Sequence, residues 1–439
     1  MTQSLTLQLF AEARWQDAAV LTFEHPRKID TARCAMGYVQ SYLVDHLDAL
    51  DTPFAPSVAV CSRLGWNSQH TVGFPAFIYD LLPSGAARAW LLNRFGHERP
   101  ENLDLNLFLL ERCTPAPVGH LRVKEAVAHL GESATTAFPR SEIVSRTNSF
   151  LEYAYEQGAA IGGATGAGGE APKLLLAEDA AGGLHADATL ADEKVRRHWL
   201  VKFARNQAGE RDQDILRAEY HYYRAVGQLG LDTIAADGLA LEEDEKPSLW
   251  MPRFDRRIVE GHVERIAVES IYSVCNNVQP GSHMAHEHVI ARLVELWVEA
   301  GQKAEVEDLV FEYVRRDLLN RLLGNSDNHG RNTSILRHAD RLTLAPIYDL
   351  APMVLDPEGI TRTTKWQDER LGEPRWRAVC DALSPFATPD VTYERLRDAA
   401  RSFLALPDLL TDLPPAIRQA QSRLPVLKAE TRLKEWGLL

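Results

Sequence analysis

The sequence predicts an α+β chain of two lobes, with an extra α/β module at the N-terminus and a mostly helical C-terminal lobe. Three observations lead there. Short apolar runs of strand type recur through the first 254 positions among several helical runs, amphipathic runs of helical period fill most of the rest, and 439 residues exceed what one core ordinarily encloses. The expected units are 1–135, an N-terminal subdomain, 136–254, a strand-rich lobe ending in a hinge, and 255–439, a helical lobe.

Composition narrows the function classes. A chain that is 45% hydrophobic and 25% charged has the make-up of a soluble globular protein, and a net charge of −13 argues against a nucleic-acid groove as its working surface. No apolar run approaches a membrane span, and MTQSLTLQLF lacks the basic start and long apolar core of a signal peptide, so the cytoplasm is the expected compartment. Cys34, Cys61, Cys113, Cys275 and Cys380 are dispersed without a C-x-x-C pair, which suits reduced thiols.

In the N-terminal module, SLTLQLF and DAAVLTF predict a hairpin. A helix is expected from Gly37-Tyr38 through YVQSYLVDHLDAL, Pro83-Ser84-Gly85 marks a turn, and AARAWLLNRFG and LNLFLLERC predict two further helices. No nucleophile here has a base at a recognisable spacing, which leaves the module to packing or partner binding. EIVSRTNSFLEYAYEQ then predicts one amphipathic helix.

The run Gly158 to Lys173, GAAIGGATGAGGEAPK, has six glycines in sixteen residues. Ordering it costs much backbone entropy, which makes sense where amides must approach a phosphate; a flexible linker is the alternative that composition alone favours. Its direct passage from Pro172-Lys173 into Leu174-Leu175-Leu176 argues for the phosphate reading, with Gly163, Gly166, Gly168, Gly169 and Lys173 as candidates. It lacks G-x-x-x-x-G-K-[ST] and is not a Walker A loop. RHWLVKFA predicts a strand carrying Lys202, placed like the kinase lysine that holds phosphates, and Glu219 on the helix Asp214 to Leu229 is its natural ion-pair partner. A lysine on a wet strand face and a solvated glutamate are the plainer alternatives. Leu249 to Arg256 is an apolar strand that ends abruptly; as a hinge it would offer adenine the carbonyl of Pro252 and the amide of Phe254.

Residues 306–351 are the most informative stretch. Leu309, Val310, Tyr313, Val314, Leu318 and Leu322 recur at helical spacing, and Gly324 falls where a left-handed helix stop wants glycine. In the polar loop that follows, Asp327 and Asn332 are five residues apart, the spacing of the protein-kinase catalytic loop. That spacing alone is common by chance. Thr333 to Leu336 and Leu342 to Tyr348, split by Arg337 to Arg341, predict a hairpin that returns Asp349 to Asn332. An amide oxygen and a carboxylate would then share Mg²⁺, leaving Asp327 to orient or deprotonate a hydroxyl. Three histidines in Ser282 to His288 fit a polar helix start better than a metal site, since no distant fourth ligand is evident. Arg362, Lys365 and Arg370 form a basic cluster, read as surface charge or as a face for a phosphorylated group or partner.

Glycine loop, strand lysine, R-F-D-R, helix, D-x-H-x-x-N and I-Y-D-L occur in that order. In this the chain resembles the HipA-type serine/threonine kinases, toxins of bacterial toxin–antitoxin pairs, over nearly its whole length. PAFIYDLLPSG is similar to that family's amino-terminal subdomain, and GAGGEAPK to its YjjJ (HipH-like) branch. The resemblance implies a bilobal protein-kinase-like fold, ATP and Mg²⁺ as cofactors, Asp327 as base, Asn332 and Asp349 as metal ligands and Lys202 on phosphate. It also implies that His329 and Arg331 lie near the γ-phosphate. The implied activity is transfer to a protein hydroxyl that restrains growth, under an antitoxin-like DNA-binding partner. Family members phosphorylate a serine of the glycine loop; the nearest position here is Gly166, and Thr165 is the loop's only hydroxyl, so self-phosphorylation would fall there. A small-molecule phosphotransferase and a catalytically silent regulatory binding protein are the alternatives.

Overall fold

Apolar alternation in Gln3–Ala11 (β1) and Arg14–Phe23 (β2) produces the expected antiparallel hairpin, with Leu5, Leu7 and Leu9 fully buried. The computed structural model describes residues 2–113, 115, 117–130, 136–157, 159–161, 171–205, 208–279 and 281–439. Gly163, Thr165, Gly166, Gly168 and Gly169 lie outside the described residues. Strands Arg33–Tyr38 (β3), Gln69–Val72 (β4) and Leu121–Val123 (β5) complete an antiparallel sheet of order β4-β3-β2-β1-β5. Gly37 and Tyr38 therefore end a strand instead of opening a helix, which runs only over Gln40–Asp45. Cross-strand pairing of Val20 with Gly37 and Ala19 with Tyr38 outweighs the helical period that follows.

The single helix expected before the glycine run is two, Arg140–Val144 and Asn148–Glu156. Arg146, at φ +54°, breaks it, and the Thr147 hydroxyl accepts from the Phe150 amide at 3.4 Å to start the second piece. The short polar side chains of Ser145 and Thr147 offer the backbone a turn in place of a continuous ladder.

A second sheet uses Ala160–Ile161 (β6), Lys173–Asp179 (β7), Leu184–Ala186 (β8), Val195–Phe203 (β9), Ala240–Glu242 (β10) and Ser248–Pro252 (β11). Its order is β10-β11-β9-β7-β6, with β8 added to β7. The antiparallel register of β7 on β9 sets Lys173 directly opposite Lys202. Helix Glu210–Gln228 carries Tyr222 and Val226 into the largest apolar core, shared with Val310, Val314 and Leu318 of helix Val306–Leu322 and with Leu396 and Phe403. Among the described residues no helix is long and apolar enough to cross a membrane.

Beyond the polar loop, Ser334–Arg337 and Leu342–Leu344 pair as the expected hairpin, and Ala267–Ser270 adds a third antiparallel strand. The second arm stops short of Tyr348. Pro346 has no N–H to give the ladder, and Ile347 instead bridges Thr233, its amide donating to the Asp232 carbonyl at 2.9 Å. Arg362 is no surface charge: it is buried and grips Glu369 with two hydrogen bonds of 3.0 and 2.7 Å. His286 opens helix His286–Glu299 and is buried against the Trp366 ring.

Gly324 ends the helix at φ +71°, and a Cβ there would lie 2.7 Å from Leu424 Cδ1 and 2.9 Å from Val354 Cγ2. Gly324→Ala is expected to cost about 2 kcal/mol, from the left-handed backbone and the overlap together. Urea unfolding would measure it, and an unchanged midpoint would contradict the account.

Candidate active site

Strand register creates the first feature of the site. Two lysines facing each other across β7 and β9 repel, and like charges in that position destabilise a sheet unless an anion joins them. Asp349 does so: Lys173 Nζ donates to its Oδ2 at 2.9 Å and Lys202 Nζ to its Oδ1 at 2.6 Å. Lys202 also donates to Glu219 Oε2 at 2.6 Å, and Glu219 is only 1% exposed, so the strand–helix ion pair is a buried one. Burial disfavours the Lys202 ammonium, but Asp349 and Glu219 overcome it and hold its pKa above the usual lysine value. Burial likewise works against the Asp349 carboxylate, and Lys173 and Lys202 keep it well below the ordinary range.

Asp349 has left-handed backbone, φ +54°, which aspartate tolerates better than most residues. Two contacts fix it. Asn325 Nδ2 donates to the Asp349 carbonyl at 3.1 Å, and the Leu350 amide reaches the Tyr223 hydroxyl at 3.4 Å. Tyr223 in turn donates to Glu219 Oε1 at 2.8 Å, which closes a ring of contacts between the long helix and the loop.

Asp327 stands in an adjoining recess with Lys173, Lys202, His329 and Asp349. Burial raises its pKa to about 7, against the pull of Arg205, whose Nη1 lies 3.7 Å from Oδ2. That places a carboxyl at the acidity a general base wants near neutral pH. His329 is driven down to about 3 by burial and is a neutral imidazole. Its Nδ1 accepts from the Arg331 amide at 3.2 Å, which leaves the proton on Nε2, 3.6 Å from Asp327 Oδ1. The Asn332 amide donates to the Asp327 carbonyl at 2.7 Å, turning its oxygen the other way.

The main cavity brings Lys173, Lys202, Glu219, Pro252, Phe254, Asn332 and Asp349 onto one lining, together with Arg331. Arg331, however, commits its guanidinium to the N-terminal module: Nη2 donates to the Tyr79 carbonyl at 2.8 Å and Nε lies 3.5 Å from Asp80. Asp80 also receives the Ser270 amide at 3.0 Å, and burial raises its pKa. The module thus forms part of the cavity wall, which its lack of a nucleophile–base pair gave no reason to expect. Arg205, two residues beyond β9, is the other group sequence reasoning missed; it reaches Asp327 and the buried Asp356, at 3.6 Å from Nε. No motif marks either residue.

With this geometry in place, comparison with known proteins identifies the family. The HipA-like C-terminal domain matches residues 165–405, more than half of the chain. The chain belongs to that family. It is 24% identical over 265 residues to the toxin YjjJ of Escherichia coli (strain K12), covering 58% of this chain and 53% of that protein, so it spans about half the length of that relative. A chain of the Shewanella oneidensis MR-1 toxin–antitoxin complex of HipA, HipB and operator DNA superposes with TM-score 0.65 at 17% identity, over 98% of this chain and 97% of that one. The HipA fold is therefore shared from end to end, and with it the kinase-like α+β architecture that the sequence predicts. The Helicobacter pylori proinflammatory kinase CtkA aligns at TM-score 0.36 and 14% identity over 55% of this chain and 87% of its own, too distant to add to the argument.

A carboxyl raised to about 7 from an unfolded value near 3.9 makes a testable difference to stability. Between those values the folded protein keeps a proton that the unfolded chain has lost, so stability falls as pH rises through the interval. Asp327→Asn should therefore raise Tm at pH 8 by on the order of 2 °C and lose that gain towards pH 4. A gain independent of pH in calorimetry would refute the assignment.

Proposed function

We propose that this protein is a HipA-type serine/threonine protein kinase that uses ATP and Mg²⁺ and restrains growth by phosphorylating a protein hydroxyl. The observation that carries the reading is Asp349, held by Lys173 and Lys202 in one cavity with Asn332 and next to a carboxyl, Asp327, of near-neutral pKa. An amide oxygen and a carboxylate are the hard ligands that Mg²⁺ takes, so Asn332 and Asp349 fit the ion. When bound, Mg²⁺ would neutralise charge on the phosphates.

The chain's own residues supply the rest. Lys202, braced by Glu219, and Lys173 offer cations to the phosphates, and Pro252 and Phe254 line the cavity at the hinge where adenine would bind backbone groups. Asp327 accepts the acceptor hydroxyl's proton, and the neutral His329 presents its Nε2–H to that carboxylate. In this reading 1–135, 136–254 and 255–439 are the working units, Gly163, Gly166, Gly168 and Gly169 form the phosphate lid, and Thr165 is the self-phosphorylation site. A DNA-binding antitoxin is the proposed partner, by analogy with the HipA–HipB–operator complex.

The test is transfer of labelled phosphate from ATP to lysate proteins, with Asp327→Asn beside the wild type and with sugars and aminoglycosides as competing acceptors. Labelled protein bands that need Mg²⁺, vanish in the variant and strengthen as pH rises through 7 are expected, because the base works ionised. Labelling of small molecules alone would sink the protein-kinase reading.

A further inference from the structure

Away from the nucleotide cavity, a second recess of about 210 Å³ opens where the N-terminal sheet meets the β9–β11 lobe. Its walls include Trp15, Arg122, Asp187, Asp192, Arg256 and Arg265. Arg122 stacks on the Trp15 ring at 4.0 Å, and Arg265 lies 5.3 Å from the same ring.

The carboxylates here are paired with cations, although Asp187 Oδ2 makes no hydrogen bond and lies 3.2 Å from Arg253 Nη1 and 3.8 Å from Arg256 Nη2. Asp192 is gripped by Arg265 through hydrogen bonds of 2.7 and 2.8 Å. Asp187 receives His198 Nδ1 at 2.7 Å and has Arg253 Nη1 at 3.2 Å. Asp255 binds Arg253 and Arg256, at 2.6 and 2.8 Å. Four guanidiniums, of Arg122, Arg253, Arg256 and Arg265, face the carboxylates of Asp187, Asp192 and Asp255; Asp17 also acts on Arg122 but is paired with Lys124 Nζ at 2.5 Å, and burial lowers the pKa of His198. Buried donors are left over: Arg256 Nε and Arg265 Nε have no hydrogen-bond partner, although their side chains are only 2% and 7% exposed. A buried, unanswered donor on a charged group is costly, and an anion in the recess would relieve it. The acidities agree. Burial, and then Arg265, lowers Arg122 to about 10, and burial, and then Arg253, lowers Arg256 to about 9.

We propose that this recess is a phosphate-binding site, distinct from the nucleotide cavity, in which Arg122, Arg256 and Arg265 receive a phosphate group, free or carried by a small metabolite. Planar guanidiniums match phosphate oxygens in geometry as well as charge. Arg256 joins the site to the hinge, since Asp255 also binds Arg253, next to Pro252.

Titration calorimetry of the full chain with inorganic phosphate tests this, with acetate as the monocarboxylate control. Wild type should bind phosphate with Kd on the order of 1 mM and acetate more weakly. Arg122→Gln should weaken phosphate at least about tenfold, and Arg122→Lys by less, because the charge stays while the fork is lost. Arg122 is half-buried and Lys202 belongs to a buried charge cluster, so all three variants are checked for a retained unfolding transition, and Lys202→Ala separates the two sites. Phosphate binding kept in Lys202→Ala and lost in Arg122→Gln supports the site. Binding lost in Lys202→Ala and kept in Arg122→Gln, or no saturable binding by the wild type, overturns it. Neither result depends on whether the protein transfers phosphate.

Discussion

The union of Lys173, Lys202 and Glu219 with Asp349 is what the rest of the site depends on. It ties two adjacent strands, the long helix and the loop after the hairpin to one small cluster of charges. Each charge would be expensive alone in so buried a place, and breaking such a cluster by removing one member costs about 3–5 kcal/mol. Its geometry also explains a feature that looks unfavourable in isolation. A non-glycine residue in left-handed backbone persists because both carboxylate oxygens, the carbonyl of Asp349 and the next amide are all engaged.

Much of this was legible in the residues because it is local. The helix, its glycine stop, the polar loop and the hairpin occupy one continuous stretch, and Lys202 and Glu219 are near in sequence and on elements whose types the pattern shows. What pattern could not reach was set by distant pairing. Tyr38 belongs to a strand because of β2, and nothing within its own window says so. Asp80 contributes to the cavity wall through Arg331 and Ser270, hundreds of residues away. Lys173 faces Lys202 only because β7 and β9 are antiparallel in one register of several that the apolar residues would permit.

The N-terminal module is more than an appendage, for the same reason. Arg337, at the end of a hairpin strand beside the polar loop 325–332, is buried and donates to the carbonyls of Phe54, Ser57 and Val58 while pairing with Glu269. The Gly119 amide donates to Asp255 at 2.7 Å, and its carbonyl accepts from Arg256 at 2.8 Å, so the module also holds the segment that follows β11. At φ +84°, with a Cβ that would come within 3.1 Å of the Val268 amide nitrogen, that position calls for glycine. The hairpin strand, the segment after β11 and the polar loop are thus referenced to a common support.

The double grip on Asp349 has a consequence for how it meets any other cation. Each acceptor oxygen already receives one hydrogen bond from an ammonium group tethered to a neighbouring strand and keeps a lone pair, so a newcomer shares the carboxylate with both lysines. The gain on entry is then the attraction of the carboxylate less the repulsion of two ammonium groups, and such differences are sensitive to small displacements. A slight slide of β7 against β9 would alter how closely the two ammonium groups crowd that position.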